Sequence, residues 1–143
     1  MRFFLAVLKN YRTFVARLNV TNMLARELKV YSDTKFFVKM LMGMTINFKR
    51  EYRRSLAERL EIRSIELMEY IVLANSDIEK RQEHLWNFIL CFEKINTLID
   101  ISVSLHQISP QQEANLARMM DGIGRQVNGW RKSASKRQSQ GAP

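Results

Sequence analysis

Along most of this chain apolar residues recur at intervals of three and four, and short polar breaks divide the pattern into helix-sized pieces. Phe37, Met40, Leu41, Met44 and Phe48 form one stripe, which predicts a first bundle helix from about Thr34 to Phe48 with Ser32 or Asp33 as its cap. Ser55 and Glu58 have the spacing of a capping box and open a second helix. In that helix Leu56, Leu60, Leu67, Ile71 and Ala74 make one stripe, and Ile62, Ile65, Met68 and Val72 make another on nearly the opposite side. A helix in an isolated bundle keeps one side polar, so two stripes predict a second buried contact, with another helix or with a neighbouring subunit. Asn75-Ser76-Asp77 ends the pattern. A third helix is predicted from Ile78 to His106, with a broad face of Leu85, Phe88, Ile89, Phe92, Ile95, Ile99 and Val103 widened by Cys91 and Leu98. Ser109 stands before Pro110 and three residues ahead of Gln112, a capping box with proline at the first helical position. Leu116, Met119, Met120, Ile123, Val127 and Trp130 then share a face of the fourth helix. The fold class expected is all-α: an up-down-up-down four-helix bundle over residues 28–133.

Residues 1–27 read as an N-terminal extension. Phe3, Val7, Tyr11, Phe14 and Leu18 fit one face of an amphipathic helix, and Met23 marks an alternative start that would make the segment dispensable. Residues 134–143 are polar and basic and read as a disordered tail, in which Lys136 and Arg137 are candidates for loose contact with nucleic acid.

Composition agrees with the helical reading, since glycine (5) and proline (2) are scarce in 143 residues. Charge adds more. The chain carries a formal +9 with a pI near 10.1, which points to a polyanionic partner, RNA or DNA. The excess is uneven, because residues 55–108 hold five basic side chains against nine acidic ones. Arg118, Arg125 and Lys132 are spaced by sevens and line up on the fourth helix away from its core face. Lys49, Arg50, Arg53 and Arg54 cluster at the turn between the first two helices, where a solvated turn and a phosphate contact are both open readings.

Catalysis finds no footing. Cys91 is the single cysteine and lies among apolar residues without an activating partner, which suits a buried thiol in a reducing, cytoplasmic compartment. His84 and His106 lack companions at ligand spacing, so no metal and no cofactor is expected. The pairs Glu58–Glu61 and Glu66–Glu69 lack the histidine that a di-metal site would add. The apolar run from Phe3 to Leu8 is too short to span a bilayer, so no membrane partner is expected. Trp86 falls off the third helix's apolar face, and a candidate interface and an ordinary exposed aromatic are both open readings.

Two blocks carry a resemblance. Ile108-Ser109-Pro110 followed by Asp121-Gly122-Ile123-Gly124-Arg125-Gln126-Val127-Asn128-Gly129-Trp130 resembles the closing helix of the accessory variability determinant family, four-helix-bundle proteins encoded beside the reverse transcriptases of diversity-generating retroelements. Phe48 to Leu60 resembles that family's turn into its second helix, although Lys49 stands where the family usually has proline. The resemblance spans roughly Leu28 to Ser133. It implies a ring-shaped homopentamer, with the Ile62, Ile65, Met68 and Val72 stripe as subunit interface. It also implies a non-catalytic role: binding a reverse transcriptase and its template RNA to support mutagenic cDNA synthesis. A related bundle of the type encoded within ribosomal RNA intervening sequences, and a purely structural oligomer, are the alternatives.

Overall fold

The computed structural model describes residues 24–141 together with Arg2, Leu5, Ala6 and Lys9. The apolar face expected on Phe3, Val7, Tyr11, Phe14 and Leu18 lies outside the described residues. Among the described residues the structure is all-helical, with four α-helices and no strand. A 3₁₀ turn, Ala25–Glu27, leads into α1 (Lys29–Thr45). α2 (Glu58–Ser76), α3 (Arg81–Ser104) and α4 (Pro110–Gly141) follow. Consecutive helices pack against each other, and α4 closes the bundle against α1.

The stripes predicted to be core are core. Phe37 and Leu41 of α1, Leu60, Leu67 and Ile71 of α2, Leu85, Phe88 and Ile95 of α3, and Leu116, Ile123 and Val127 of α4 are all fully buried. Phe92 meets Phe37 edge-on at 5.9 Å and 70°, and meets Phe88 tilted at 5.4 Å and 43°. Edge-to-face rings favour this geometry because the positive ring edge meets the negative face.

Helix ends depart from the sequence reading in instructive ways. α1 begins at Lys29, a turn earlier than expected, and Ser32 and Asp33 lie inside it. Asp33 caps nothing. Its Oδ2 accepts from Lys29 Nζ at 2.6 Å and from Gln126 Nε2 of α4 at 2.7 Å. Those two donors hold its carboxyl below the ordinary aspartate value, the Lys29 bond contributing most. The Ser55–Glu58 box does not form either: Arg50–Tyr52 is a 3₁₀ turn, Arg53–Ala57 a π turn that contains Ser55, and no side chain caps α2. Across the same turn Arg53 Nη1 donates to Thr45 O at 3.1 Å, and Thr45 Oγ1 donates to Glu61 Oε1 at 2.8 Å. The Thr45 carbonyl that ends α1 is thus tied to the α1–α2 turn, and the Thr45 hydroxyl to the first turn of α2.

The predicted break at Asn75-Ser76-Asp77 is where α2 ends. Asp77 Oδ1 accepts from Lys80 N at 3.1 Å, and Arg81 reaches back to donate to Ala74 O at 2.7 Å and Asn75 O at 3.2 Å. α3 ends in a Schellman motif. Gln107 N donates to Ser102 O at 2.8 Å and His106 N to Val103 O at 3.0 Å, with His106 at φ 58°. His106 thus serves the helix end through its backbone.

The Ser109–Gln112 box forms in both directions: Gln112 N donates to Ser109 Oγ at 3.1 Å and Ser109 N to Gln112 Oε1 at 3.0 Å. Gln107 Oε1 also accepts from Lys49 N at 2.8 Å, which joins the α1–α2 and α3–α4 turns at one end of the bundle. Proline at position 49 would have no N–H to give.

The tail expected to be disordered from residue 134 continues as α4 to Gly141. Ala134 is buried, Gln82 Nε2 donates to Arg131 O at 2.6 Å, and Gln138 Nε2 donates to Glu79 O at 3.3 Å. Polar composition alone misleads here, because lysine, arginine and glutamine are good helix formers and nothing before Gly141 breaks the run.

Candidate nucleic-acid interface

α4 carries the longest row of cations. Arg118, Arg125, Lys132, Lys136 and Arg137 are all exposed. With a rise of about 1.5 Å per residue they extend over about 29 Å of one straight element. Asp121 pairs with Arg125 at 2.7 Å and leaves Arg118 to the neutral amide of Asn115. Arg118 therefore keeps an uncompensated charge within its own helix.

Arg118 and Arg125 do not face open solvent on every side. They line a groove between α1 and α4, about 360 Å³ in volume, whose walls include Lys29, Asp33, Phe36, Met119, Gly122 and Gln126. Phe36 is 58% exposed there, one position off the buried α1 stripe that Phe37 occupies. Sequence periodicity gave no reason to single it out. The signal available was its phase: Phe36 is seven residues after Lys29 and three before Lys39, both exposed.

The second basic cluster lies at the other end of α1. Lys49, Arg50, Arg53 and Arg54 are exposed. They differ in their freedom. Arg53 is committed to Thr45 O and stands 3.9 Å from Glu61, so it serves the turn. The two basic clusters are not one patch, because α4 starts beside this turn and carries its cations away from it.

Further along α4, Trp130 and Trp86 each lie under a guanidinium, Arg81 at 5.5 Å and Arg131 at 4.9 Å. Burial pulls Arg81 down from the usual arginine value, and the Arg137 charge adds to that. The Trp86 ring, half exposed, is thus partly covered by Arg131 from α4.

The second stripe of α2 is exposed in the single chain: Ile62 50%, Ile65 46% and Val72 42%, with Met68 half-buried. Leu73 beside it and Leu90 and Ile101 on α3 are also exposed, and the sequence pattern did not flag these. Between α2 and α3 the surface dips into a groove of about 640 Å³ lined by Ile62, Arg63, Glu66, Lys94 and Leu98. Cys91 lies behind it. Its thiol donates to Arg63 O at 3.2 Å, and burial, with the Glu66 carboxylate second, pushes it up to about 12. A thiol so held is a poor nucleophile at neutral pH, because the thiolate is the reactive form.

Among the described residues no helix is long and apolar enough to cross a membrane. No protein-family model matches the chain, and no curated protein matches it.

Proposed function

We propose that this protein is a non-catalytic nucleic-acid-binding subunit, the accessory partner of a retroelement reverse transcriptase that holds template RNA during mutagenic cDNA synthesis. The observation that carries the nucleic-acid part is the row of exposed cations on α4, with Arg118 free of any acidic partner in its helix. A straight helix repeats such charges at a fixed pitch, which suits a phosphate backbone read without regard to sequence. The Asp121–Arg125 pair does not compete seriously, since exposed pairs of this spacing contribute only about 0.3–0.5 kcal/mol. The polymerase partner rests on the resemblance of the α4 block and of the α1–α2 turn. Assembly into a homopentamer rests on that resemblance together with the uncovered Ile62, Ile65 and Val72 stripe.

The test is the triple change Arg118→Glu, Arg125→Glu, Lys132→Glu, with affinity for a generic RNA measured across a salt series. Binding should fall, and the slope of log affinity on log salt should flatten by roughly two, at about 0.7 for each phosphate of a single strand that is no longer neutralised. The helical signal and melting temperature should stay close to those of the unmodified protein. Unchanged binding in the folded triple variant would move the site to Lys49, Arg50 and Arg54.

A further inference from the structure

The groove between α1 and α4 has a composition that a plain basic surface does not need. An exposed phenylalanine, Phe36, stands among Lys29, Arg118 and Arg125, and half-buried Met119 lines the same groove. A large apolar ring costs free energy when left in water, and cations alone would bind phosphate as well without it. Gly122 lines the same groove. It sits in mid-helix, where glycine is less favourable than alanine by about a kcal/mol, yet a Cβ built on it meets nothing within 4 Å. Among the described residues nothing approaches that Cβ, as at Gly43, Gly124 and Gly129, so the groove wall is open at Gly122.

We propose that this groove is a base-stacking site for single-stranded nucleic acid, in which Phe36 is the platform for one unpaired base and Arg118 and Arg125 hold the flanking phosphates. The proposal rests on reading α4 as a nucleic-acid face and adds which strand state that face selects. Every base has a π face, so an aromatic platform between cations binds single strands without sequence preference. A duplex keeps its bases stacked on one another and offers Phe36 nothing. Asp33 does not repel the backbone strongly, because its carboxylate is bonded to Lys29 and Gln126.

The experiment uses the full chain with labelled oligoadenylate, as RNA and as DNA, and a duplex of equal length, each titrated at several salt concentrations. The unmodified protein should prefer the single strands to the duplex. Phe36→Ala should weaken single-strand binding about fivefold or more, leave duplex binding unchanged and leave the salt slope unchanged, because the ring carries no charge. Phe36→Tyr should restore binding. Gly122→Leu removes neither charge nor ring but fills the groove, and should weaken single-strand binding in a folded protein. If Phe36→Ala binds single strands as the unmodified protein does, stacking is overturned while the cationic face survives. A lack of binding to any of the three probes overturns both readings together. If Phe36→Ala instead lowers the particle mass in light scattering, the groove is a contact between copies of this chain and the stacking site is overturned. RNA and DNA arms that respond alike would place recognition in ring and phosphate; a response confined to RNA would add a contact to the 2′-hydroxyl.

Discussion

Thr34 of α1 is fully buried in the core, and its hydroxyl has no hydrogen-bond partner among the described residues. Valine has nearly the same shape and no polar atom to desolvate. Thr34→Val is expected to raise stability by about 1 kcal/mol, read from denaturant midpoints at unchanged slope, since an unmet buried hydroxyl costs about 1–3 kcal/mol. A lowered midpoint would mean that the hydroxyl is satisfied in solution. Cys91 shows the reverse case, a buried group whose donor is used on Arg63 O. Phe36 and Phe37 make the contrast sharpest: adjacent and chemically identical, one is fully buried in the core and the other is 58% exposed beside three cations. Composition could not separate them. Helical phase could, once the core face was known.

Each helix is held at its ends by a different device. α4 has the reciprocal Ser109–Gln112 box, α3 has the Schellman turn at His106, and α1 ends with its Thr45 carbonyl held by Arg53 while the Thr45 hydroxyl reaches Glu61 of α2. Ser109→Ala removes the hydroxyl acceptor of the only box in the described residues and should cost about 1 kcal/mol, measured by chemical denaturation with helicity followed by circular dichroism. No loss would show that Pro110 alone sets the start of α4. The Ser109 box was legible because proline follows the serine and the periodic apolar run starts after it. The Ser55 box was not formed because the chain was already helical there: Ser55 lies within the π turn Arg53–Ala57, and a residue inside a helix cannot cap it. The Arg53–Thr45 bond beside it joins residues brought together only by the turn.

At the scale of the molecule, a four-helix bundle leaves one question open, namely what covers the outer stripe of α2. Ile65→Glu places a charge at the centre of that stripe without touching the bundle core, since Ile65 is 46% exposed. In the proposed pentamer it should reduce the particle mass in light scattering toward that of one 16.9 kDa chain while helicity persists. An unmodified protein that already scatters as a single chain would remove the need for a subunit interface there. α4 is longer than its neighbours, at about 48 Å against about 26 Å for α1. The surplus carries Lys136 and Arg137 alongside the α2–α3 turn on a continuous helix, where a loose tail was expected.

By itself the sequence determined that the chain is helical, where its core stripes lie, that α4 opens on a reciprocal box, and that α2 has apolar residues on two sides. These are properties of period and local hydrogen bonding, written into residues no more than a few positions apart. Tertiary structure decided what depends on neighbours distant in sequence. It made Asp33 a link to Gln126 in place of a cap, committed Arg53 to the α1–α2 turn, and extended α4 through Gln82 and Gln138. It also brought Phe36 to Arg118 and Arg125, more than eighty residues away in sequence. A groove between two helices has no period of its own. It exists only when the helices have chosen their partners, because packing sets which off-stripe residues are left facing one another.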